Sequence, residues 1–523
     1  MSVYHNDIAR GLSPSVMNYR DTQQNLMPLF ASILVASIAA FFYSSTNLRI
    51  PGPYTAKVTR LWYLWQMHRG DFHWTNINLH RKVVQVMPGY FSIDDPSFHK
   101  TVSGPSWLKG EWYAAWHIGP TPEHNNLFSE RDPARHRAMK RKVAPIYSMS
   151  SMVSYEPYVQ DCIKLLAKRL DEFSEAERTI NVGEWMQYFA FDAITAITFG
   201  ELLGFLETGG DVKGLIDFLD SDEILRTRLA IYPWLTPIFE KFIPIYEKFM
   251  SSVHGTSGLA FQQFADGKIE SDRQAQLGGK EIGSGPVYMV RRFLEKQQGD
   301  PDKGMTDWDV AANAGSNVGA GSDTTALALT TILYYMYRDP AILTSVREEV
   351  GNANLPEIPS LQDVQKLPYL QALIKEAMRK QPGLGLPYWR KVPKGGVVVD
   401  GHFIPEGSNV GVSSWVSHYN RSVWGPDADK FRPGRWLEAA AEKGDHASAM
   451  DQSFMPFGLG SRTCIGKNAS LLEIYKLVPF IARNYDLAFL DERGNPESRE
   501  HLDLENKWFI KVPHLYAKVT RRP

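Results

Sequence analysis

The chain has 523 residues, 43% of them hydrophobic and 12% aromatic, which is enough to bury a large core. A formal charge of -1 leaves no electrostatic footprint for nucleic acid, and two cysteines, Cys162 and Cys464, cannot build a disulfide framework. No glycine/serine linker, low-complexity tract or fixed-period repeat divides the sequence, so one large domain is preferred over several small ones.

A polar N-terminal tail (1–25) precedes an uncharged run from Leu26 to Tyr43 that carries Leu29, Phe30, Ile33, Leu34, Val35, Ile38, Phe41 and Phe42. At about 18 residues this run is just long enough to span a bilayer once; a cleaved signal peptide and a buried core helix are the other readings. Arg49, Lys57 and Arg60 follow it, whereas Arg10 and Arg20 are offset by Asp7 and Asp21, an asymmetry that places the C-terminal side in the cytoplasm. Residues 44–53 end in Ile50-Pro51-Gly52-Pro53, which breaks any helix and makes a hinge before the domain at 54–523.

Beyond the hinge, Tyr63–His73 has helical character. Val83-Val84-Gln85-Val86 and Tyr90-Phe91-Ser92-Ile93 flank Pro88-Gly89 and predict a small sheet with a turn. Ser103 to Asn126 is an aromatic-rich loop with Trp107, Trp112, Tyr113 and Trp116, of a length found in functional or mobile segments. Arg131 to Lys142 is strongly basic, the usual sign of a solvated helix face. Helices are expected from Val153 to about Phe205, with Cys162 a small core residue. Val212 to Met250 is rich in large apolar residues. The polar stretch Leu259–Gly304 contains Gly283-Ser284-Gly285, which does not continue as a nucleotide-binding loop.

Thr306 and Asp309 make a capping box ahead of a periodic run that ends before Asp339-Pro340. About 32 residues at ~1.5 Å rise would span about 48 Å. Gly315, Gly319 and Gly321 interrupt it, each costing about 1 kcal/mol against alanine, which points to a local opening or a close ligand approach. Asp323 and Thr324 follow at once; a threonine hydroxyl bonding one turn back loosens a helix and makes a polar groove. Ser360 with Asp363 starts another helix, on which Glu376 and Arg379 share a face. Gly383 to Arg390 then leads into short strands including Val397–Val399, and Asp427 to Gln452 reads as loop-rich.

The decisive stretch is Phe457-Gly458-Leu459-Gly460-Ser461-Arg462-Thr463-Cys464-Ile465-Gly466, directly before an apolar-periodic helix. A cysteine delivered to a helix start has N–H groups and the positive helix end to stabilise its thiolate. The glycines permit positive φ and close approach to a flat ligand, and Arg462 offers a forked cation to a carboxylate.

This Phe-x-x-Gly-x-Arg-x-Cys-x-Gly run resembles the haem-binding loop of the cytochromes P-450. The resemblance covers about Tyr54 to Phe509. It implies the mainly α cytochrome P-450 fold with small β-sheets, as a single large catalytic domain behind an N-terminal membrane anchor. It further implies haem b, with Cys464 as the axial ligand of the iron and Phe457, Gly458, Arg462 and Gly466 around it. Arg390 would pair with one propionate. His136 fits the first place of a Trp- or His-x-x-x-Arg pattern for the other, with Lys140 standing where arginine is expected and Arg141 beside it. Ala320 to Thr325 resembles the oxygen-activation motif, in which Thr324 positions dioxygen and water and Asp323 relays protons. Glu376, Arg379 and Arg435 would form a structural ion-pair set, although Gly434 stands where an acid often precedes the arginine.

The aromatic loop and the apolar 212–250 region would line and roof a substrate pocket, with Leu384, Leu386 and Tyr388 facing substrate. Ile50–Pro53 resembles the hinge of endoplasmic-reticulum members. Leu386-Pro387-Tyr388-Trp389-Arg390 and Ile404-Pro405-Glu406-Gly407 are most similar to the fungal pisatin-demethylase-like group. The function implied is NADPH- and O2-dependent hydroxylation or oxidative demethylation of a hydrophobic small molecule, in fungal secondary metabolism or detoxification. Electrons would come from NADPH-cytochrome P-450 reductase, with cytochrome b5 as a further partner. A haem-thiolate isomerase or dehydratase, or a non-catalytic haem or lipophile binder, are the alternatives.

Overall fold

In a computed structural model the long capped run is one uninterrupted helix, Asp307–Arg338. Thr306 Oγ1 accepts from the Asp309 N–H at 3.1 Å, and Asp309 Oδ2 accepts from the Thr306 N–H at 2.9 Å, so the capping box forms as the sequence expects. The residues described are 50–523, apart from 118, 120, 122–123, 243–244, 246–256, 279–285, 300–303, 443 and 500. The run from 26 to 43 and the start of the hinge lie outside them. Among the described residues no helix is long and apolar enough to cross a membrane.

The helices that build the site are α1 (Pro133–Val143), α2 (Met149–Glu175), α3 (Val182–Phe199), α4 (Leu215–Ile231), α5 (Asp307–Arg338), α6 (Pro368–Lys380) and α7 (Lys467–Asn484). α3 is apolar nearly all round and is buried from Trp185 onward at almost every position, as a helix without a polar face must be. It packs along α5, and the main core gathers Val159, Cys162 and Leu166 of α2, Phe189 and Ile197 of α3, Leu329, Ile332 and Leu333 of α5, and Leu472, Leu477 and Val478 of α7.

The predicted hairpin forms: Val83–Met87 pairs antiparallel with Tyr90–Ile93, and Gly89 takes φ +75 at the turn. Tyr90–Ile93 then pairs parallel with Asn409–Val412, which pairs antiparallel with Tyr388–Lys391. This sheet brings Arg390 beside the aromatic loop, where Lys109 bridges to it. A second sheet orders Thr179–Asn181, Tyr516–Arg521 and Tyr485–Leu490. Gly52 to Pro523 forms one unit, mainly helical with small sheets.

Three local expectations change. The region expected to be loop-rich carries two helices, Gly434–Glu442 and Asp445–Ser453, because Trp436, Ala439 and Met450 bury against Trp424 and override weak propensities. The helix begun at Ser360 is only Leu361–Val364, since Pro368 restarts the chain as α6. The helical stretch near Tyr63 is two helices, Leu61–Arg69 and Phe72–Leu79, parted by Gly70 at φ +73.

Candidate active site

The cysteine loop runs on one bond from its own start: the Cys464 N–H donates to the Phe457 carbonyl at 2.9 Å. Gly458 and Gly460 adopt φ +70 and +68, which glycine alone takes cheaply. At Gly460 even a Cβ would lie 2.5 Å from the Ser103 carbonyl oxygen. Gly466 departs from the expectation: its φ is -77, and its missing Cβ would sit 3.8 Å from Cys464 Sγ. Cys464 sits below the surface on the wall of a cavity of about 510 Å³, which leaves its side chain accessible. Burial pushes this thiol above the ordinary cysteine value, while the N–H groups of Gly466 and Lys467 and the ammonium of Lys140 pull the other way.

Lys140 lines the cavity. Its ammonium donates to the carbonyls of Ser461 at 3.1 Å and Thr463 at 3.2 Å, tying α1 to the cysteine loop. Arg141, one residue on, is exposed and forms no part of the cavity wall.

Around one edge of the cavity stand Lys109, His136, Arg390 and Arg462. Arg390 donates to the Trp389 carbonyl at 2.9 Å and the Tyr113 hydroxyl at 3.3 Å. Arg462 donates to the carbonyls of Glu130 at 2.7 Å and Arg131 at 3.3 Å. Lys109 donates to the Phe128 carbonyl and sits 4.3 Å from the Tyr113 ring centre. Neutral dipoles thus satisfy geometry, and the acids that oppose the charge at Arg462 are Glu130 and, more weakly, Asp132. Burial, Arg390 and Arg462 hold Lys109 well below the lysine value. Burial and Arg390 bring Arg462 down to about 10, and burial with Arg462 and Lys109 takes His136 to about 3. Lys109 has no counterpart in the sequence reading. Its signal is a single lysine amid Trp107, Trp112 and Tyr113, and only the fold sets it beside Arg390.

The facing wall is α5. Gly315, Gly319 and Gly321 all line the cavity; a Cβ would meet nothing within 4 Å at the first two, whereas at Gly321 it would lie 2.9 Å from Ile194 Cγ1. α5 does not open; instead Thr324 Oγ1 donates to the Ala320 carbonyl at 2.8 Å. Asp323 is buried, accepting from Gln187 Nε2 at 2.6 Å and lying 2.9 Å from the Lys511 ammonium. The wall also carries Glu223, Trp116, Phe128, Trp508 and Phe509. Leu384 and Tyr388 line the cavity as expected, but Leu386 does not; it is buried with Trp389 and Trp508 in the aromatic core.

Glu376 and Arg379 are fully buried and meet twice, Nε to Oε2 at 2.9 Å and NH2 to Oε1 at 2.8 Å. Arg435 Nε reaches Glu376 Oε1 at 3.0 Å, and Trp436 Nε1 reaches Oε2 at 3.0 Å. The acid absent at Gly434 is supplied by Asp427, whose Oδ1 lies 3.3 Å from Arg435 NH1.

A thiol at one face, unbalanced buried cations at one edge and an apolar slot between them suit an iron porphyrin that brings two carboxylates of its own. Residues 99–508 match the family model of cytochrome P-450.

The chain is a cytochrome P-450.

It is 35% identical over 509 residues to pisatin demethylase of Fusarium vanettenii, covering 94% of each chain. It is 34% identical over 482 residues to a cytochrome P-450 monooxygenase of Aspergillus terreus, covering 88% of this chain and 95% of that one. A cytochrome P-450 monooxygenase of Emericella nidulans is 34% identical over 513 residues, covering 95% and 98%. Membership of this family implies haem, and this P-450 is an oxidoreductase of the monooxygenase kind.

Proposed function

We propose that this P-450 inserts one oxygen atom of O2 into a hydrophobic aromatic or polycyclic molecule, in fungal secondary metabolism or detoxification. Haem, when bound, supplies the oxygen activation. Cys464 would hold its iron through the thiolate, and Lys109, Arg390, Arg462 and His136 would hold its carboxylates. Phe457, Gly458 and Gly466 shape the loop against its face, and Lys140 braces that loop through Ser461 and Thr463. The observation carrying the reading is the Cys464 thiol and Thr324 hydroxyl lining one cavity from different elements.

Across that cavity Thr324 holds a water or dioxygen by its hydroxyl, and Asp323 passes protons to it. Because Asp323 is paired with Lys511, each proton transfer requires that pair to lengthen or exchange. Glu376, Arg379 and Arg435 keep the folded frame of the pocket. Two electrons per turnover come from NADPH through a reductase, with cytochrome b5 as an additional donor. The domain at 54–523 is held at the endoplasmic reticulum by a single-pass anchor at 26–43. Exposed Leu61, Trp65, Trp234, Ile238 and Phe242 support membrane contact, since Arg60 joins both stretches by stacking 4.8 Å from the Trp234 ring.

The test is twofold. The reduced, CO-treated holoenzyme is expected to give a thiolate-type Soret band that Cys464→His abolishes, and turnover is expected to require both NADPH and O2. Product formed per NADPH oxidised should fall about tenfold in Thr324→Ala, the scale of one lost hydrogen bond. Turnover without O2 would sink the monooxygenase assignment in favour of an isomerase.

A further inference from the structure

Glu223 is a carboxyl on α4 that the chemistry above does not use. It is 5% exposed and lines the cavity. One oxygen, Oε1, accepts the Phe509 N–H at 2.5 Å. Carboxylate oxygens of Glu223, Asp220 and Asp323 all lie within 4.8 Å of one another.

The cations facing this trio are already engaged. Lys511 lies 2.5 Å from Asp220 and 2.9 Å from Asp323. Lys507 pairs with Asp220 at 3.2 Å and Glu505 at 3.3 Å. Arg226, one turn along α4, is bonded to Asp222 and to the carbonyls of Ala115 and His117. Gln187 is turned to Asp323. Two ammonium groups therefore serve Asp220, Asp323 and Glu505, and an anion at buried Glu223 would be left without a cation of its own. A divalent metal is disfavoured at the same place, because the Lys511 ammonium already occupies the charge centre of the cluster.

Glu223 also stands at the end of an aromatic wall. Phe509, whose N–H it accepts, stacks on Trp508 at 4.7 Å, and Trp508 lies 4.1 Å from Trp116. Phe128 closes the group at 5.1 Å from Trp508. Flat rings of this kind favour a flat partner through offset and edge contacts. A buried donor beside them selects for an acceptor, since a ligand lacking one leaves the donor unpaired.

We propose that Glu223 is a specificity-determining residue whose carboxyl O–H donates to an uncharged oxygen, a carbonyl or ether, of a planar aromatic substrate lying against Trp116, Trp508 and Phe509. This rests on the reading of the cavity as the substrate chamber of a haem-thiolate enzyme. Burial, with Asp323 and Asp220 opposing Lys511, raises the Glu223 carboxyl to about 8, so it holds its proton at neutral pH.

The experiment is a spectral titration of the haem-loaded enzyme with two probes of one outline, 9-fluorenone and fluorene, which differ by a carbonyl in place of a methylene. The wild type is expected to bind fluorenone about tenfold tighter than fluorene at pH 7, the scale of one hydrogen bond, and to lose that preference above pH 8. Glu223→Leu should abolish the preference while leaving fluorene binding in place. Glu223→Gln, which keeps an N–H donor, should keep the preference and lose its pH dependence. Equal affinity for the two probes in the wild type, or an unchanged preference in Glu223→Leu, overturns the inference. The reduced CO spectrum separates the two readings: loss of the thiolate band sinks the haem-thiolate assignment, whereas a normal band with no ketone preference overturns Glu223 alone.

Discussion

The Lys511 ammonium lies 2.9 Å from Asp323 Oδ2 and 2.5 Å from Asp220 Oδ1, so an acid of the long helix is tied to a strand near the C-terminus. Burial works against the Lys511 charge, but Asp323, Asp220 and Glu223 outweigh it and hold the lysine above its ordinary value. Removing the cation strands buried Asp323, while half-buried Asp220 keeps Lys507 at 3.2 Å. Lys511→Met is expected to cost about 3–5 kcal/mol, read as a lower unfolding midpoint, with Lys511→Arg recovering most of it. A variant as stable as wild type would mean that Asp323 is not held by this pair.

The Glu376 network separates two magnitudes. Glu376 serves Arg379, Arg435, Trp436 and the Arg432 N–H at once, all of them buried or nearly so. Asp427 meets Arg435 from a partly exposed position. Glu376→Ala is expected to lose about 3–5 kcal/mol, with little haem-loaded protein recovered. Asp427→Ala should lose only about 1 kcal/mol, because solvent screens the pair it removes. Equal losses in denaturant unfolding would contradict this ranking.

The α5 glycines predict opposite signs for one substitution. At Gly315 a Cβ meets nothing within 4 Å, so Gly315→Ala should raise stability by about 0.5–1 kcal/mol through helix propensity. At Gly321 a Cβ lies 2.9 Å from Ile194 Cγ1, and overpacking of about 1–3 kcal/mol exceeds the same gain. Gly321→Ala should therefore be destabilising, and an Ile194→Val background should relieve part of the loss. Unfolding midpoints of the wild type, the two alanine variants, Ile194→Val and the Gly321→Ala/Ile194→Val double variant check this.

His418 gives a pH dependence with a definite sign. Its Nε2 accepts the Met455 N–H at 2.9 Å, so Nδ1 carries the proton and donates to the Arg379 carbonyl at 2.9 Å. Burial and Arg379 lower this imidazole from 6.5 to about 3. A depressed histidine binds its proton in the unfolded chain first. The stabilisation from its neutral form is complete above the unfolded value and is lost as pH falls from about 6.5 toward 3, by up to ~1.4 kcal/mol per pH unit. His418→Asn should flatten the acid limb of unfolding by about one proton while lowering neutral stability. Asp94, raised by burial to about 7, contributes in the reverse direction, with stability falling as pH rises from about 4 toward 7. An acid limb unchanged by the His418 substitution would refute this coupling.

The sequence by itself determined the features that depend on local spacing. Phe457 to Gly466 prescribes a turn and a cysteine at a helix start, Thr306 with Asp309 starts α5 where it does, and Pro88-Gly89 turns the hairpin. Glu376 and Arg379 are legible as a pair because one helical turn sets them together. Nothing local could supply the rest. Lys109 joins Arg390 through an isolated bridge between segments 281 residues apart. Lys511 meets Asp323, and Phe509 meets Glu223, only because the C-terminal strand folds back beneath α4 and α5. Asp427 replaces the acid missing at Gly434 by a turn of the chain, and Leu386 goes to the core because Trp389 and Trp508 surround it. Those pairings are set by packing between distant segments, which periodicity and spacing do not encode.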